Sequence, residues 1–479
     1  MTMKLLAQEE TAIYKVLVRS IVSVAKLGQL LTVIRGVTYK KEHSKSAPAD
    51  GLVGLLRATN IQQSLSFDEL VYVPASCVSE AQLLQPGDIL VVASSGSRTV
   101  VGKAAPLTHS WRGSFGAFCF ALRPNAGVEP GYLAAFLRSP QYRDRASDLA
   151  AGTNINNLRA THIEETLIPL PAVDRQREIV AYLDEQLSRL DASVAALRRA
   201  QANLKRYRAS VLKSACEGRL VPTEAELARQ EGRDFETGTQ LLQRVLAERR
   251  MRLNGRGKYK EPIGPNLSSS AQMPEGWCYG TLDQLSSHLT SGSRDWSPFY
   301  DRGSCIFLMA QNVRMGALDL TMKQRVDPPK DDASRARSQV EVDDLLVTIV
   351  GANAGEICRV PKHLPEHFVC QSVALVRPVI GATSKYLEAF LVSSENGQRQ
   401  FESFMYGQGR PHLSFDQLRA TVAPLPPLAE QHRIVAEADR RLSLIRIAEA
   451  QVTANLARAQ RLRQSILQAA FTMPAQAGQ

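Results

Sequence analysis

The sequence has no Cys-x-x-Cys pair, and its seven cysteines (77, 119, 216, 278, 305, 358 and 370) are an odd set scattered along the chain. That argues against both a disulfide framework and a structural zinc site, and points to a reducing, cytoplasmic setting. Long apolar runs are also missing. The longest near the N-terminus, around Ile13 to Val24, is broken by Lys15 and Arg19, so no membrane span is expected, and no signal-peptide pattern precedes it. Acidic residues are in deficit: 58 Lys and Arg against 47 Asp and Glu leave a formal charge of +11. Such an excess favours a polyanionic partner, nucleic acid or an anionic surface, without choosing between them. At 479 residues the chain exceeds what one hydrophobic core supports, and roughly two to four domains are expected.

What is present is a duplication. IPLPAVDRQREIVAYL, from Ile168, returns as APLPPLAEQHRIVAEA from Ala423, 255 residues later, and the same offset carries Ser210-Val211-Leu212 onto Ser465-Ile466-Leu467. Upstream the offset drifts by a few residues, as loop insertions would cause: Ala121-Leu122-Arg123-Pro124 matches Leu375-Val376-Arg377-Pro378, and Tyr132 to Leu137 matches Tyr386 to Leu391. The repeat therefore holds a variable globular part and a constant tail.

The tail reads as a long helix with a seam. Val180, Leu183, Leu187, Leu190, Val194 and Leu197, then Gln201, Leu204, Arg208, Val211 and Ala215, alternate steps of three and four. The second copy reads Val435, Ala438, Leu442, Ile445, Glu449, Val452, Leu456, Ala459, Arg463, Ile466 and Ala470. Heptad spacing kept for about five heptads, twice, predicts a helix pair rather than a lone amphipathic helix. Some 36 residues of helix would extend roughly 54 Å. A Pro-x-Pro stop, Pro169/Pro171 and Pro424/Pro426, forces extended chain before each helix. The globular parts read as β-rich: Asp88-Ile89-Leu90-Val91-Val92 and Asp344-Leu345-Leu346-Val347-Thr348-Ile349 each run into a Ser/Gly/Asn cluster, Ser94 to Ser97 and Gly351 to Gly355, as strands leaving into loops do. Between the halves, a basic helical stretch, Leu241 to Leu253, precedes a Gly/Pro/Lys/Ser-rich linker from Gly255 to Ser270.

These residues resemble the specificity subunits of Type I restriction-modification systems. The resemblance spans nearly the whole chain and is carried by the repeated Pro-Leu-Pro before each helix with Gln176 and Gln431, by Gly218-Arg219-Leu220-Val221-Pro222, and by the Pro-x-Gly-Trp opening Pro274-Glu275-Gly276-Trp277. The turns Gly152-Thr153-Asn154-Ile155-Asn156 and Gly409-Arg410-Pro411-His412-Leu413 belong with it. The first copy has no Pro-x-Gly-Trp opening, and residues 1–20 match nothing in the family pattern. The resemblance implies an α+β fold with two mixed α/β target-recognition domains, separated by two long antiparallel helices in a coiled coil, as a pseudo-two-fold internal repeat. The expected segments are an N-terminal stretch 1–20, a first recognition domain 21–170, a first spacer helix 171–221, a basic helix and linker 222–272, a second recognition domain 273–425, a second spacer helix 426–473 and a tail 474–479. It further implies a non-catalytic subunit that binds a bipartite, asymmetric double-stranded DNA target. Two methyltransferase subunits and motor-nuclease subunits would dock on it, and S-adenosylmethionine, ATP and magnesium would be bound by those partners, with no cofactor on this chain.

Four short patterns suggest catalysis by letter only. In Asp327-Pro328-Pro329-Lys330 a lysine stands where an amino-methyltransferase needs an aromatic to stack on the flipped base. Gly96 to Lys103 has the wrong spacing for a phosphate loop, and Ala104 replaces the metal-binding hydroxyl. In His363-Leu364-Pro365-Glu366-His367 the proline spoils the helical turn that both imidazoles need. Gly407-x-Gly409 and Gly351-x-x-x-Gly355 are too short for a dinucleotide fingerprint. No nucleophile has a base beside it.

Base reading needs Arg, Asn, Gln, Ser or Thr on rigid loops. The candidates are Arg57, Thr59, Asn60, Ser95, Ser97, Arg98, Asn154 and Asn156 in the first copy, and Gln311, Asn312, Arg314, Asn353 and Arg410 in the second. Arg57-Ala58-Thr59-Asn60-Ile61 and Met309-Ala310-Gln311-Asn312-Val313 form a matched pair. The first helix carries Arg198, Arg199, Lys205, Arg206, Arg208 and Lys213 with no acid between Ala192 and Cys216, a basic surface suited to phosphate contact or to an acidic partner. The competing reading is a coiled-coil scaffold whose globular parts are caps.

Overall fold

The computed structural model describes residues 23–151, 155–253, 259–266, 273–294, 296–330, 333–362, 364, 366–405 and 411–471. The chain divides into two compact units, the first reaching Arg198 and resuming at Thr453, the second spanning Arg199–Val452.

In the first unit, β1 (Val24–Lys26), β2 (Leu31–Arg35), β3 (Leu52–Leu56), β4 (Val71–Pro74), β5 (Ile89–Val92), β6 (Ser94–Ser95), β7 (Ala104–Pro106), β8 (Gly113–Phe115) and β9 (Cys119–Pro124) precede helices α1 (Pro130–Arg138) and α2 (Pro140–Leu149). Then follow β10 (Asn156–Asn157), α3 (Ala160–Glu164), β11 (Leu167–Pro169) and the long α4 (Val173–Cys216). The strands form a sheet β2-β9-β5-β7, a sheet β4-β3-β8, and the pairs β1-β11 and β6-β10. All four residues of β5 are fully buried. Ile89 and Val91 pack on Tyr132, Leu133 and Phe136 of α1, while Leu90 and Val92 face Leu56 and Phe115 of the second sheet. A strand covered on both faces has no solvent side to keep polar, hence the unbroken apolar run.

The second unit repeats this plan. It contains α5 (Glu224–Glu231), α6 (Gly238–Leu253), β12 (Cys278–Thr281), α7 (Leu282–Leu285), β13 (Ser286–Ser291), β14 (Tyr300–Leu308), β15 (Val313–Arg314), β16 (Ala317–Leu318), β17 (Gln324–Val326), α8 (Ala333–Ser338), β18 (Leu345–Thr348), β19 (Ile357–Arg359), β20 (His367–Val369) and β21 (Val373–Pro378). After these come α9 (Ser384–Val392), α10 (Gly397–Phe404), α11 (Phe415–Ala420), β22 (Val422–Leu425) and the long α12 (Leu428–Phe471). Its sheets run β13-β21-β18-β19 and β17-β14-β20, with the pair β12-β22 and a β15-β16 hairpin. Again Leu345 and Val347 pack on helix residues Leu387 and Phe390, and Leu346 faces Ile306 and Leu308 of the other sheet.

Several repeated letters prove to be braces. Asp88 and Asp344, at the entries of β5 and β18, are buried, and each accepts two hydrogen bonds of 2.8 Å from an arginine, Arg123 and Arg377. Gln176 and Gln431 donate to the carbonyls of Pro171 and Pro426, each at 2.8 Å, which ties the Pro-x-Pro loop to the first helical turn. Trp277 donates to Glu430 Oε1 at 3.0 Å, and Glu430 Oε2 accepts the Glu224 amide at 2.8 Å. Within the expected linker, residues 259–266 are docked: Ile263 donates to Asp283 at 2.9 Å and accepts from Thr281 at 2.6 Å. Glycine and proline there coexist with docking because these side chains satisfy the backbone.

α4 and α12 are 44 residues each. In the first unit Leu183 and Leu187 bury against Ile466 and Leu467 of α12, Leu190 is buried, and Val180, Val194, Leu197 and Leu456 are half-buried. In the second unit Val211 and Ala215 pack with Ile434, Ala438 and Ile445, Val452 is buried, and Val435 and Leu442 are half-buried. Within each unit the two helices run antiparallel. The polar seam positions find acids on the opposite helix: Arg463 pairs with Asp191 in the first unit, and Arg208 with Glu449 at 3.9 Å in the second.

Candidate nucleic-acid interface

One end of the first unit gathers the loops singled out by sequence. β3 and β8 run parallel with Leu56 opposite Phe115, so Arg57–Ile61 and Gly116–Phe118 leave the sheet together, and Gly116 donates to Leu56 O at 2.9 Å. β5 ends there too: Ala93 and Ser94 both donate to Phe118 O, at 2.8 and 3.1 Å. β6 then pairs with β10, Asn156 opposite Ser95. β2 delivers Gly36 to the same place. A Cβ on Gly36 would meet Gly116 O at 2.1 Å, so only glycine lets the two backbones approach.

The second unit builds the same end. Cys370 donates to Leu308 O at 2.9 Å, Ile349 to Ser372 O at 2.9 Å, and Leu413 to Ile349 O at 2.9 Å. Gly292 is the counterpart of Gly36, and its Cβ would lie 1.6 Å from Val369 O. These two glycines and the turns Ala117-Phe118 and Gln371-Ser372 were not picked out by the sequence reading. Their matched spacing within the repeat was the available signal.

The candidates fall into two groups by what their side chains do. Asn60 and Asn312 are buried. Asn60 accepts from the Arg57 amide at 2.9 Å and donates to Asp68 O at 2.7 Å. Asn312 accepts from the Met309 amide at 2.9 Å and donates to Asp319 O and Met322 O at 2.8 and 2.7 Å. Asn156, also buried, donates to Ser95 O and Gly96 O at 3.3 and 3.2 Å. These amides brace the loops, and nothing of them is offered outward. Arg57 donates to Glu69 O at 2.8 Å, Arg98 reaches Asp148 at 3.3 Å, and Arg314 reaches Glu356 at 3.3 Å. Thr59, Ser97 and Gln311 are exposed, and Ser95 and Asn353 half-buried. Asn154 and Arg410 lie outside the described residues.

Among the described residues no activated cysteine accompanies these loops. Burial pushes the thiols of Cys119, Cys216 and Cys358 up to about 12, the opposite of what a nucleophile needs. Among the described residues no cluster of His, Cys, Asp and Glu could hold a metal. His367 sits in strand β20 rather than on a helix, and Gly96 to Lys103 leads into strand β7 rather than into a helix N-terminus. No helix of the described residues is long and apolar enough to cross a membrane.

No family model matches the chain. It is 29% identical over 454 residues to the Type I restriction enzyme EcoKI specificity subunit of Escherichia coli K12, an alignment covering 94% of this chain and 88% of that one. With the StySPI specificity subunit of Salmonella potsdam it shares 42% over 198 residues, 41% of this chain and 42% of the relative. The fold is that of a chain solved in work on complex assembly and conformational transition of the type I R-M system, with TM-score 0.65 at 18% identity over 94% of this chain and 97% of that one. It also matches the HsdS subunit of Thermoanaerobacter tengcongensis, with TM-score 0.50 at 17% identity over 94% and 96%. Sequence likeness along almost the whole chain, and a fold of two repeated units with two long helices, agree: the chain is similar to the specificity subunits of Type I restriction-modification systems.

Proposed function

We propose that the chain selects the DNA target of a Type I restriction-modification complex, reading a bipartite, asymmetric site with the loop-bearing end of each unit. The observation that carries this reading is the pair of matched loop ends whose exposed residues differ: Thr59 and Ser97 on one, Gln311 and Gln371 on the other. A shared scaffold with unlike tips reads two unlike half-sites, because base identity is read by side chains at the groove edge while the scaffold only positions them. As a specificity subunit the chain is a non-catalytic component. Methyltransferase subunits and motor-nuclease subunits supply the chemistry, with S-adenosylmethionine, ATP and magnesium bound on them, and the exposed basic face of α4 is one surface for their docking. Work in the cytoplasm, where the DNA is, fits this role.

The test is single-molecule methylome sequencing of a strain with and without the gene. Deletion is expected to abolish N6-methyladenine in one interrupted motif. An unchanged methylome in a strain with intact partner subunits would overturn the proposal in favour of a scaffold.

A further inference from the structure

Beside the proposed reading end of each unit lies a pair of cations without an acidic partner among the described residues. In the second unit a cavity of about 670 Å³ is lined by Arg294, Trp296, Pro329, Ser334 and Arg337 among others. Arg294 and Arg337 are exposed, and among the described residues neither side chain has an ion pair or hydrogen bond partner, whereas neighbouring Arg335 is held by Glu366 at 2.9 Å. The place is set by the ladder: Ser293 donates to Val369 O at 3.1 Å and accepts from the Gln371 amide at 3.1 Å. Arg294 therefore follows directly on the strand exit that flanks the Gln371-Ser372 turn.

The first unit has the equivalent stretch after Gly36. Val37 donates to Phe115 O at 2.8 Å, and Lys45 exchanges two backbone hydrogen bonds of 2.9 Å with Tyr72, which places Lys40 and Lys45 on a fixed support. Both are exposed and, among the described residues, without a side-chain partner, with exposed Glu42 between them in sequence. An arginine or lysine kept free of internal acids at the rim of a reading loop offers its full charge to an incoming anion.

We propose that Arg294 with Arg337, and Lys40 with Lys45, grip backbone phosphodiesters of the target and set the register in which the loops meet the bases. This rests on the proposed DNA reading and names a different class of contact within it, one blind to sequence. Trp296, Phe299 and Pro329 form one wall of the Arg294 cavity, and Ser334 is part of its lining.

The experiment uses the full chain assembled with its methyltransferase subunits. Affinity is measured by fluorescence anisotropy for a duplex carrying the motif found by methylome sequencing and for a scrambled duplex, over a series of KCl concentrations. Each phosphate contact contributes about 0.9 to the slope of log affinity against log salt. Arg294→Gln/Arg337→Gln is expected to make that slope shallower by about 1.8 and to weaken both duplexes by the same factor. Arg294→Lys/Arg337→Lys is expected to keep the slope. An unchanged slope would overturn the proposal, as would loss confined to the motif duplex or loss of the methyltransferase subunits in size-exclusion chromatography. Failure of the wild-type complex to prefer the motif duplex would instead sink the reading on which the proposal stands.

Discussion

At the scale of single residues, the structure separates buried braces from exposed loop residues. Asn312 makes three hydrogen bonds and Asn60 two, all internal. Asn312→Ala would strand a buried amide and two carbonyls, so it should destabilise by about 1–3 kcal/mol, with Asn60→Ala toward the lower end; thermal unfolding followed by circular dichroism reads both. Sequence alone groups these asparagines with Thr59 and Gln311 because the letters and the loop position are alike, and only burial tells them apart. A second residue-scale expectation concerns Glu224, whose carboxylate takes Arg433 at 2.5 Å and Arg233 at 2.7 Å. Burial disfavours its charge, but hydrogen bonds from the two arginines outweigh that and hold its pKa below the usual carboxylate value. A depressed pKa gives stability that is present above the unfolded value of about 4.3 and is lost as pH falls through the folded value. The melting temperatures of wild type and Glu224→Gln should thus stand apart at pH 7, begin to approach below about pH 4.3 and meet only once pH has fallen through the lower folded value. A gap that persisted in acid would rule this out.

At the scale of elements, the long helices show how heptads were legible while their partners were not. The three-four spacing along α4 and α12 follows from helix geometry and needs no knowledge of the fold. What Arg463 and Arg208 do at seam positions needed the opposite helix: each faces an acid there, Asp191 and Glu449, which makes them register marks. Arg463→Glu is expected to cost about 0.5–1 kcal/mol, the range of a partly exposed pair, and Asp191→Arg combined with it should recover most of that loss. A double-mutant cycle on melting temperature checks it, and strict additivity would refute the pairing. The sheets carry a parallel lesson. The apolar runs of β5 and β18 announced strands, but the two-sided cover that makes them uniformly apolar is a property of the packed layers.

At the scale of the whole molecule, the proposed reading of one half-site by each of the two matched loop ends predicts that variants act on one half of the target at a time. Thr59→Ala/Ser97→Ala should relax one half of the methylated motif and Gln311→Ala the other, each by about 1–3 kcal/mol of base discrimination, as methylome sequencing of the variant strains would show. Either variant altering both halves would contradict separate reading. The duplication, the helical seams and the family were written in the sequence, because periodicity and repeated motifs are local and survive without coordinates. Tertiary structure alone decided how each unit is completed. Phe471, at the end of the second helix, packs 5.2 Å from Tyr132 and 5.4 Å from Phe136 in the first unit's core, while Cys216, at the end of the first helix, lies in the core of the second. No local pattern encodes that exchange. It arises because an antiparallel helix that begins in one unit has its apolar end buried only where the other unit's helices and sheet offer a matching face.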